Sequence, residues 1–205
     1  MRQHAGRPRE FDPQDFLNSA LDCFWQQGYR ATSMADLMKA SGLASASIYK
    51  LYADKRSIFL AALQQYMDAG LVRGKQRDDE LTPIDALRET LEFVALVSSG
   101  PEGEKGCFTI AAACELLPGD DEVRNRVAYK FHGIVARLTS IFQQGQQQGV
   151  FRTDESAAVM AECIFMMLEG MRVYGKIRPD ISMLRKSNDF IINSVLASAS
   201  QGPRS

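Results

Sequence analysis

Residues 33–52 read Ser-Met-Ala-Asp-Leu-Met-Lys-Ala-Ser-Gly-Leu-Ala-Ser-Ala-Ser-Ile-Tyr-Lys-Leu-Tyr, and this stretch decides the fold. Met34, Leu37 and Met38 recur at helical spacing, Gly42 supplies the left-handed residue that ends a helix, and Leu43 follows as a plug between two short helices. On the second helix Ile48 and Leu51 turn inward, which leaves Ser45, Ala46, Ser47, Tyr49 and Lys50 facing outward. Two helices joined by a tight glycine turn make a helix-turn-helix, the unit whose second helix enters the major groove of DNA. An outward face of small hydroxyls, one Tyr and one Lys suits that groove: Lys reaches guanine acceptors and Ser pairs permissively. Ser45, Ser47 and Lys50 are the candidates for groove contacts.

The flanking sequence supplies the rest of a small head. Asp12-Pro13 is a helix start, an N-cap followed by Pro at the first helical position. Phe16, Leu17, Ala20, Leu21 and Phe24 then form one apolar stripe that runs to Gln27 and stops at Gly28, so this helix packs behind the helix-turn-helix. Thr32 and Ser33 offer hydroxyls to cap the helix that begins at Met34, and such a terminus attracts phosphate. A further helix starts near Asp54 with Ile58, Phe59, Ala62, Leu63, Tyr66 and Met67 on one side. The arm at residues 1–10 carries Arg7 and Arg9, which read either as a basic tail or as minor-groove contacts.

Beyond the head the pattern remains helical. Residues 74–80 read as a polar joint, Thr82-Pro83 opens a helix reaching about Ser98, and residues 100–106 read as a loop. Helices follow over 107–117, from Asp120 or Asp121 to the Gln-rich stretch 143–148, and over 154–174. The last of these is apolar on two sides, with Ala157, Ala161, Ile164, Phe165 and Leu168 on one and Met160, Cys163, Met167 and Met171 on the other. A helix apolar on two sides must be covered twice. A homodimer is therefore expected, with Met160, Met171, Phe190, Ile191 and Val195 as candidate interface residues.

Composition agrees. A chain of 205 residues that is 45% hydrophobic can bury a substantial core as a small domain plus a larger one. The formal charge of −1 hides an asymmetry: residues 1–56 hold 8 Lys/Arg against 6 Asp/Glu, and the remainder 16 against 19. No apolar run is long enough for a membrane span and no secretory signal is visible, so a cytoplasmic protein is expected. Cys23, Cys107, Cys114 and Cys163 are scattered, and with only His4 and His132 beside them they indicate neither a zinc site nor a disulfide framework. No paired-carboxylate, phosphate-loop or nucleophile-base pattern points to an enzyme, and no cofactor is implied.

The segment Gly28-Tyr29-Arg30-Ala31-Thr32-Ser33-Met34, followed by Gly42-Leu43, Ile48-Tyr49, Tyr52 and Lys55, resembles the DNA-binding domain of the TetR/AcrR family of bacterial regulators. Ala44, Leu51 and Arg56 depart from residues common in that family. The resemblance implies an all-α protein, with a three-helix DNA-binding head at 1–56 and a larger effector-binding and dimerisation domain at 57–205. It implies a repressor that binds a palindromic operator in double-stranded DNA as a homodimer and is released by a small-molecule effector. Lys55, Tyr49 and Tyr52 would then meet the DNA backbone, although Tyr52 also reads as core. The dimer interface would lie on the last two helices. The resemblance also places an effector pocket among the fourth to eighth predicted helices, between residues 54 and 174, where Phe93, Cys107, Phe108, Phe131, Met166, Met167 and Tyr174 are candidate walls for a hydrophobic or aromatic ligand. Each of these also reads as core.

Cys107 supports a sharper expectation. It begins a helix directly after the 100–106 segment, and a helix N-terminus with Lys105 nearby favours a thiolate. Gly106-Cys107-Phe108 also looks like a segment of TetR-type repressors that sense electrophiles through a cysteine. The alternative function is thus a helical ligand-binding or redox- and electrophile-sensing protein that acts without sequence-specific DNA binding.

Overall fold

The computed structural model describes residues 12–78 and 80–197, and the described residues are helical almost throughout. The helices are α1 (Pro13–Gln27), α2 (Met34–Ser41), α3 (Ser45–Tyr49), α4 (Lys55–Asp78), α5 (Pro83–Val97), α6 (Gly100–Lys105), α7 (Phe108–Leu116), α8 (Asp121–Gln147), α9 (Ala157–Tyr174) and α10 (Ile181–Val195). A short 3-10 turn covers Gly175–Ile177, and a single isolated bridge pairs Phe151 with Leu196. The fold is all-α, as the sequence predicts. Residues 1–10, which include Arg7 and Arg9, lie outside the described residues. The chain forms two compact units that divide between Gln64 and Gln65, within α4.

In the first unit, Asp12 caps α1 by accepting from the Gln14 amide at 2.8 Å, which frees Pro13 to occupy the first turn. The helix buries Phe16, Leu17, Ala20 and Phe24. Phe24 meets Phe59 edge-on at 5.3 Å, and Tyr29 lies 4.8 Å from Phe59, so α1, the α1–α2 loop and α4 share one aromatic centre. Leu37, Ile48 and Ile58 are fully buried. Gly42 holds a left-handed φ of 69° between α2 and α3, a conformation that an L side chain rarely adopts.

The second unit is built on α5, α8, α9 and α10. Leu87 and Leu91, Leu138 and Phe142, Ala161 and Ile164, and Ile191 and Val195 all enter one core, with Phe151 among them. Phe151 lies against α8 at Gly145, where a Cβ would stand 2.1 Å from its ring. Phe151 can pack there only because residue 145 has no side chain.

Three local expectations change. The polar stretch 74–80 is not a joint through its length: α4 continues to Asp78, where Arg137 of α8 donates to the carboxylate at 2.6 Å and to Thr90 Oγ1 at 3.2 Å. Gly100–Lys105, expected as loop, form the short α6, with Gly103 pressed against the Ser98 backbone where a Cβ would be 2.6 Å away. Helix α9 starts three residues later than the sequence predicts, because Ser156 caps the Val159 amide while Arg152 holds Asp154 through two 2.6 Å hydrogen bonds.

Candidate functional site

The capping hydroxyl of α2 belongs to Ser33. Its Oγ accepts from the Asp36 amide at 3.1 Å, while the Asp36 carboxylate accepts from the Ser33 amide at 2.8 Å and from its hydroxyl at 2.6 Å. This capping box satisfies two helix-end donors and holds the Asp36 carboxyl below the usual range through the hydrogen bonds from Ser33. Thr32 takes no part. It is 1% exposed and donates to the Gly28 carbonyl at 2.7 Å, so its hydroxyl closes the α1–α2 loop and does not present itself to a phosphate.

Lys55 is also turned inward. Its ammonium donates to the carbonyls of Tyr29 and Thr32 at 2.8 Å and of Arg30 at 3.5 Å, and lies 4.5 Å from the centre of the Tyr29 ring. The residue expected to meet the DNA backbone instead ties the loop before α2 to the start of α4. Tyr52 is half-buried and packs on Phe16 with ring centres 5.7 Å apart, and burial pushes its phenol up.

What remains outward is a compact face on α3 and just beyond it. Tyr49 is 51% exposed, Ala46 and Lys50 are exposed, and Ser45 and Ser47 are half-buried beside them. Ile48 anchors this face from behind. Leu51 is exposed and joins it, so the expectation that Leu51 points inward is corrected: Ile48 alone fills the inward position of α3 and Leu51 follows in the turn after it.

The second unit scatters the expected effector residues. Phe108 is buried and meets Tyr66 edge-on at 5.8 Å, Cys107 is 8% exposed, and Phe93 is half-buried. Phe131 stacks edge-on with Phe165 at 5.0 Å in an open groove of about 410 Å³ between α7, α8 and α9, bordered by Arg124, His132 and Glu162. Met166, Met167 and Tyr174 are exposed and line no interior wall. Cys107 stands at the N-cap of α7, where its sulfur accepts from the Tyr66 hydroxyl at 3.7 Å. Lys105 reaches back to Glu102 at 4.0 Å.

The candidate dimer residues divide the same way. Met160, Ile191 and Val195 belong to the main core and Met171 to a smaller cluster with Ala95 and Leu184, so these four face their own subunit. Phe190 is 74% exposed. The unpartnered apolar face of α9 is instead Val159, Cys163, Met166, Met167, Val173 and Tyr174, with the Cβ direction of Gly170 open in its middle. Both sides of α9 are apolar as predicted, and Cys163 and Met167 lie on the open side, but Met160 and Met171 belong to the core side. Met160 follows the Ala157 side because residues three apart share a helix face.

A three-helix head with a recognition face of two serines, one tyrosine and one lysine, followed by a larger helical unit, defines a helix-turn-helix DNA-binding regulator. The family model described as "Bacterial regulatory proteins, tetR family" matches residues 16–62, and that described as "Tetracyclin repressor-like, C-terminal domain" matches residues 83–188. The chain belongs to the TetR family of bacterial regulatory proteins. It is 27% identical over 176 residues to the HTH-type transcriptional repressor ComR of Escherichia coli (strain K12), covering 84% of this chain and 83% of that protein. Its fold is that of the reduced form of NemR from E. coli, with a TM-score of 0.80 at 16% identity over 91% of this chain and 97% of the other. It is also that of a cysteine mutant of the regulator CifR complexed with operator DNA, with a TM-score of 0.78 at 24% identity over 92% and 99%. Among the described residues no helix is long and apolar enough to cross a membrane.

Proposed function

We propose that this chain is a cytoplasmic, ligand-responsive repressor that binds a palindromic operator as a homodimer, is released by a small-molecule effector, and acts as a regulator rather than an enzyme. The observation that carries this reading is the exposed α3 face of Ala46, Tyr49 and Lys50, with Ser45 and Ser47 beside it, which has no packing duty in the head. Ser45, Ser47 and Lys50 read base edges, while Tyr49 and the amides of the Ser33-capped α2 terminus meet phosphate. Residues 1–56 form the DNA-binding part, and residues 57–205 the effector and dimerisation part.

Dimerisation follows from energetics. One small module buries only about 600 to 1,000 Å² on DNA and binds mainly phosphate, so two heads joined by a symmetric interface are needed to select a site. The exposed stripe from Val159 to Tyr174 on α9, continued by Met183 and Phe190 on α10, is the face a second copy covers. An effector shifts the balance only through unequal affinity for the DNA-competent and released states.

Selection of random duplexes by the purified reduced protein tests the reading. A palindrome is expected, and Lys50→Ala relaxes preference at one base position of each half-site while leaving the others intact. Recovery of no common sequence over a range of salt concentrations would defeat the operator-binding reading.

A further inference from the structure

The interior of the second unit holds a polar cluster to which the DNA-binding reading gives no role. Lys130 of α8 is 7% exposed, and its ammonium has one hydrogen bond, to Thr109 Oγ1 at 3.2 Å, with the Tyr66 ring centre 4.5 Å away. Residue 70 of α4 carries no side chain, and a Cβ there would already touch the ammonium at 3.4 Å. Glu169 of α9 lies in the same electrostatic neighbourhood, and its Oε2 is buried with no hydrogen-bond partner. Buried charges are ordinarily paired and fully hydrogen-bonded, because leaving water costs several kcal/mol per ion. Here a cation with spare donors and a carboxylate with an unused oxygen occupy one site.

The charged and titratable groups that act on Lys130 come from every neighbouring element: Tyr66 and Arg73 from α4, Cys107 before α7, and Glu169 and Arg172 from α9. Arg172 is already engaged, donating to the carbonyls of Val97 and Gly106 and to Ser98 Oγ. Lys130 and Arg172 are thus the cations that act on Glu169, and of the two it is Lys130 that keeps unused donors.

We propose that this cluster is the head-group site for a small organic acid, whose carboxylate lies between Lys130 and Glu169 while Glu169 takes up one proton. This rests on the effector-responsive reading and names the chemical class of the effector. One acid oxygen accepts from Lys130, and the other accepts from the newly protonated Glu169 carboxyl. The entering negative charge and the proton taken from solvent cancel, so the interior gains no net charge. Burial pushes the Glu169 carboxyl up, which favours its protonated form; it also pushes the Lys130 ammonium down, and an acid carboxylate beside it restores the charged form. The rings of Tyr66 and Phe108, edge-to-face at 5.8 Å, supply an apolar wall beside the head group and favour an aromatic body.

The test uses the full-length protein with benzoate, benzyl alcohol and benzylamine, with binding measured by calorimetry from pH 6 to 8 in buffers of different ionisation enthalpy. Benzoate is expected to bind with uptake of one proton, its affinity falling about tenfold per pH unit, while the alcohol and the amine bind at least about tenfold more weakly at pH 6. Glu169→Gln keeps benzoate binding and loses the proton uptake. Lys130→Met weakens benzoate at least about tenfold, and the double variant Lys130→Met/Glu169→Gln, which leaves no uncompensated buried charge, weakens it equally. The assignment is overturned if benzoate, phenylacetate and hexanoate all fail to bind the wild type, if uptake persists in Glu169→Gln, or if Lys130→Met binds benzoate as the wild type does. Operator release is scored separately. Benzoate binding without release of duplex leaves the acid site standing and removes the effector reading, whereas release that ignores Lys130 removes the acid site alone.

Discussion

Replacing Lys55 by Met separates two roles that the sequence leaves superposed. A lysine at the start of α4 reads as a phosphate contact, yet in the structure its ammonium is spent on the loop carbonyls of Tyr29, Arg30 and Thr32. Two of those bonds are 2.8 Å long, and the Tyr29 ring lies 4.5 Å from the charge. Hydrogen bonds to an ammonium contribute about 1.5–3 kcal/mol each in shielded surroundings. Lys55 is half-buried, so screening lowers this to roughly 1 kcal/mol each, and the loss for the site is about 2–3 kcal/mol. That corresponds to an increase of about 30- to 150-fold in local opening. Hydrogen exchange on the full-length protein reads it: the amides of residues 28–33 are expected to exchange faster by that factor, while those of α8 and α9 stay unchanged. Operator affinity falls because α2 loses its support, but the slope of log affinity against log salt stays the same. A lysine on phosphate behaves otherwise, its removal lowering that slope by about 1. A reduced slope with unchanged exchange at 28–33 would refute the structural role.

Three further outcomes follow from the geometry. Gly145→Ala places a methyl 2.1 Å from the Phe151 ring and is expected to destabilise the second unit by about 1–3 kcal/mol, seen as a lowered melting temperature with operator sequence preference intact. Phe190→Asp is expected to leave the melting of the separated subunit unchanged, because the side chain is 74% exposed, but to shift sedimentation from dimer to monomer. Labelling by a thiol reagent should follow it, with Cys163 reacting faster in the variant while Cys114, which lies off the α9 stripe, reacts equally in both. The Asp36 carboxyl is held low by the hydrogen bonds from Ser33, so its contribution is present above the unfolded carboxylate value near 4 and lost as pH falls through the lower folded value. Acid titration of the head should therefore lose cooperativity below about pH 4 in the wild type, and Asp36→Asn should flatten that dependence. Equal acid sensitivity in the two proteins removes the capping box as its source.

The second unit shows why helical periodicity underdetermines a sensing domain. On α8 the core register Val123, Val127, Leu138 and Ile141 also contains Lys130, a residue the sequence reading passed over although a charge at an apolar-periodic position marks it. Glu169 gave no such signal, since it borders the face of α9 that Leu168 occupies. On α9 both faces are apolar, and composition alone does not distinguish the side packed on α8 from the side left open; the contacts of Met160 and Met171 with their own core settle that.

What the sequence by itself determined is the set of features written in neighbouring residues: the Asp12-Pro13 start, the Ser33 cap, the left-handed Gly42 and the inward Ile48, which together define the helix-turn-helix and its outward face. These depend on backbone conformation and on side chains within one helical turn. Tertiary structure decided where the ambivalent side chains go. Lys55 meets carbonyls twenty-three to twenty-six residues away, Asp78 is held in α4 by Arg137 fifty-nine residues on, and Lys130 is enclosed by α4, α7 and α9. A long cationic or apolar side chain can satisfy itself against solvent, DNA, a partner or the core, and only the packing of distant helices removes all but one of those choices.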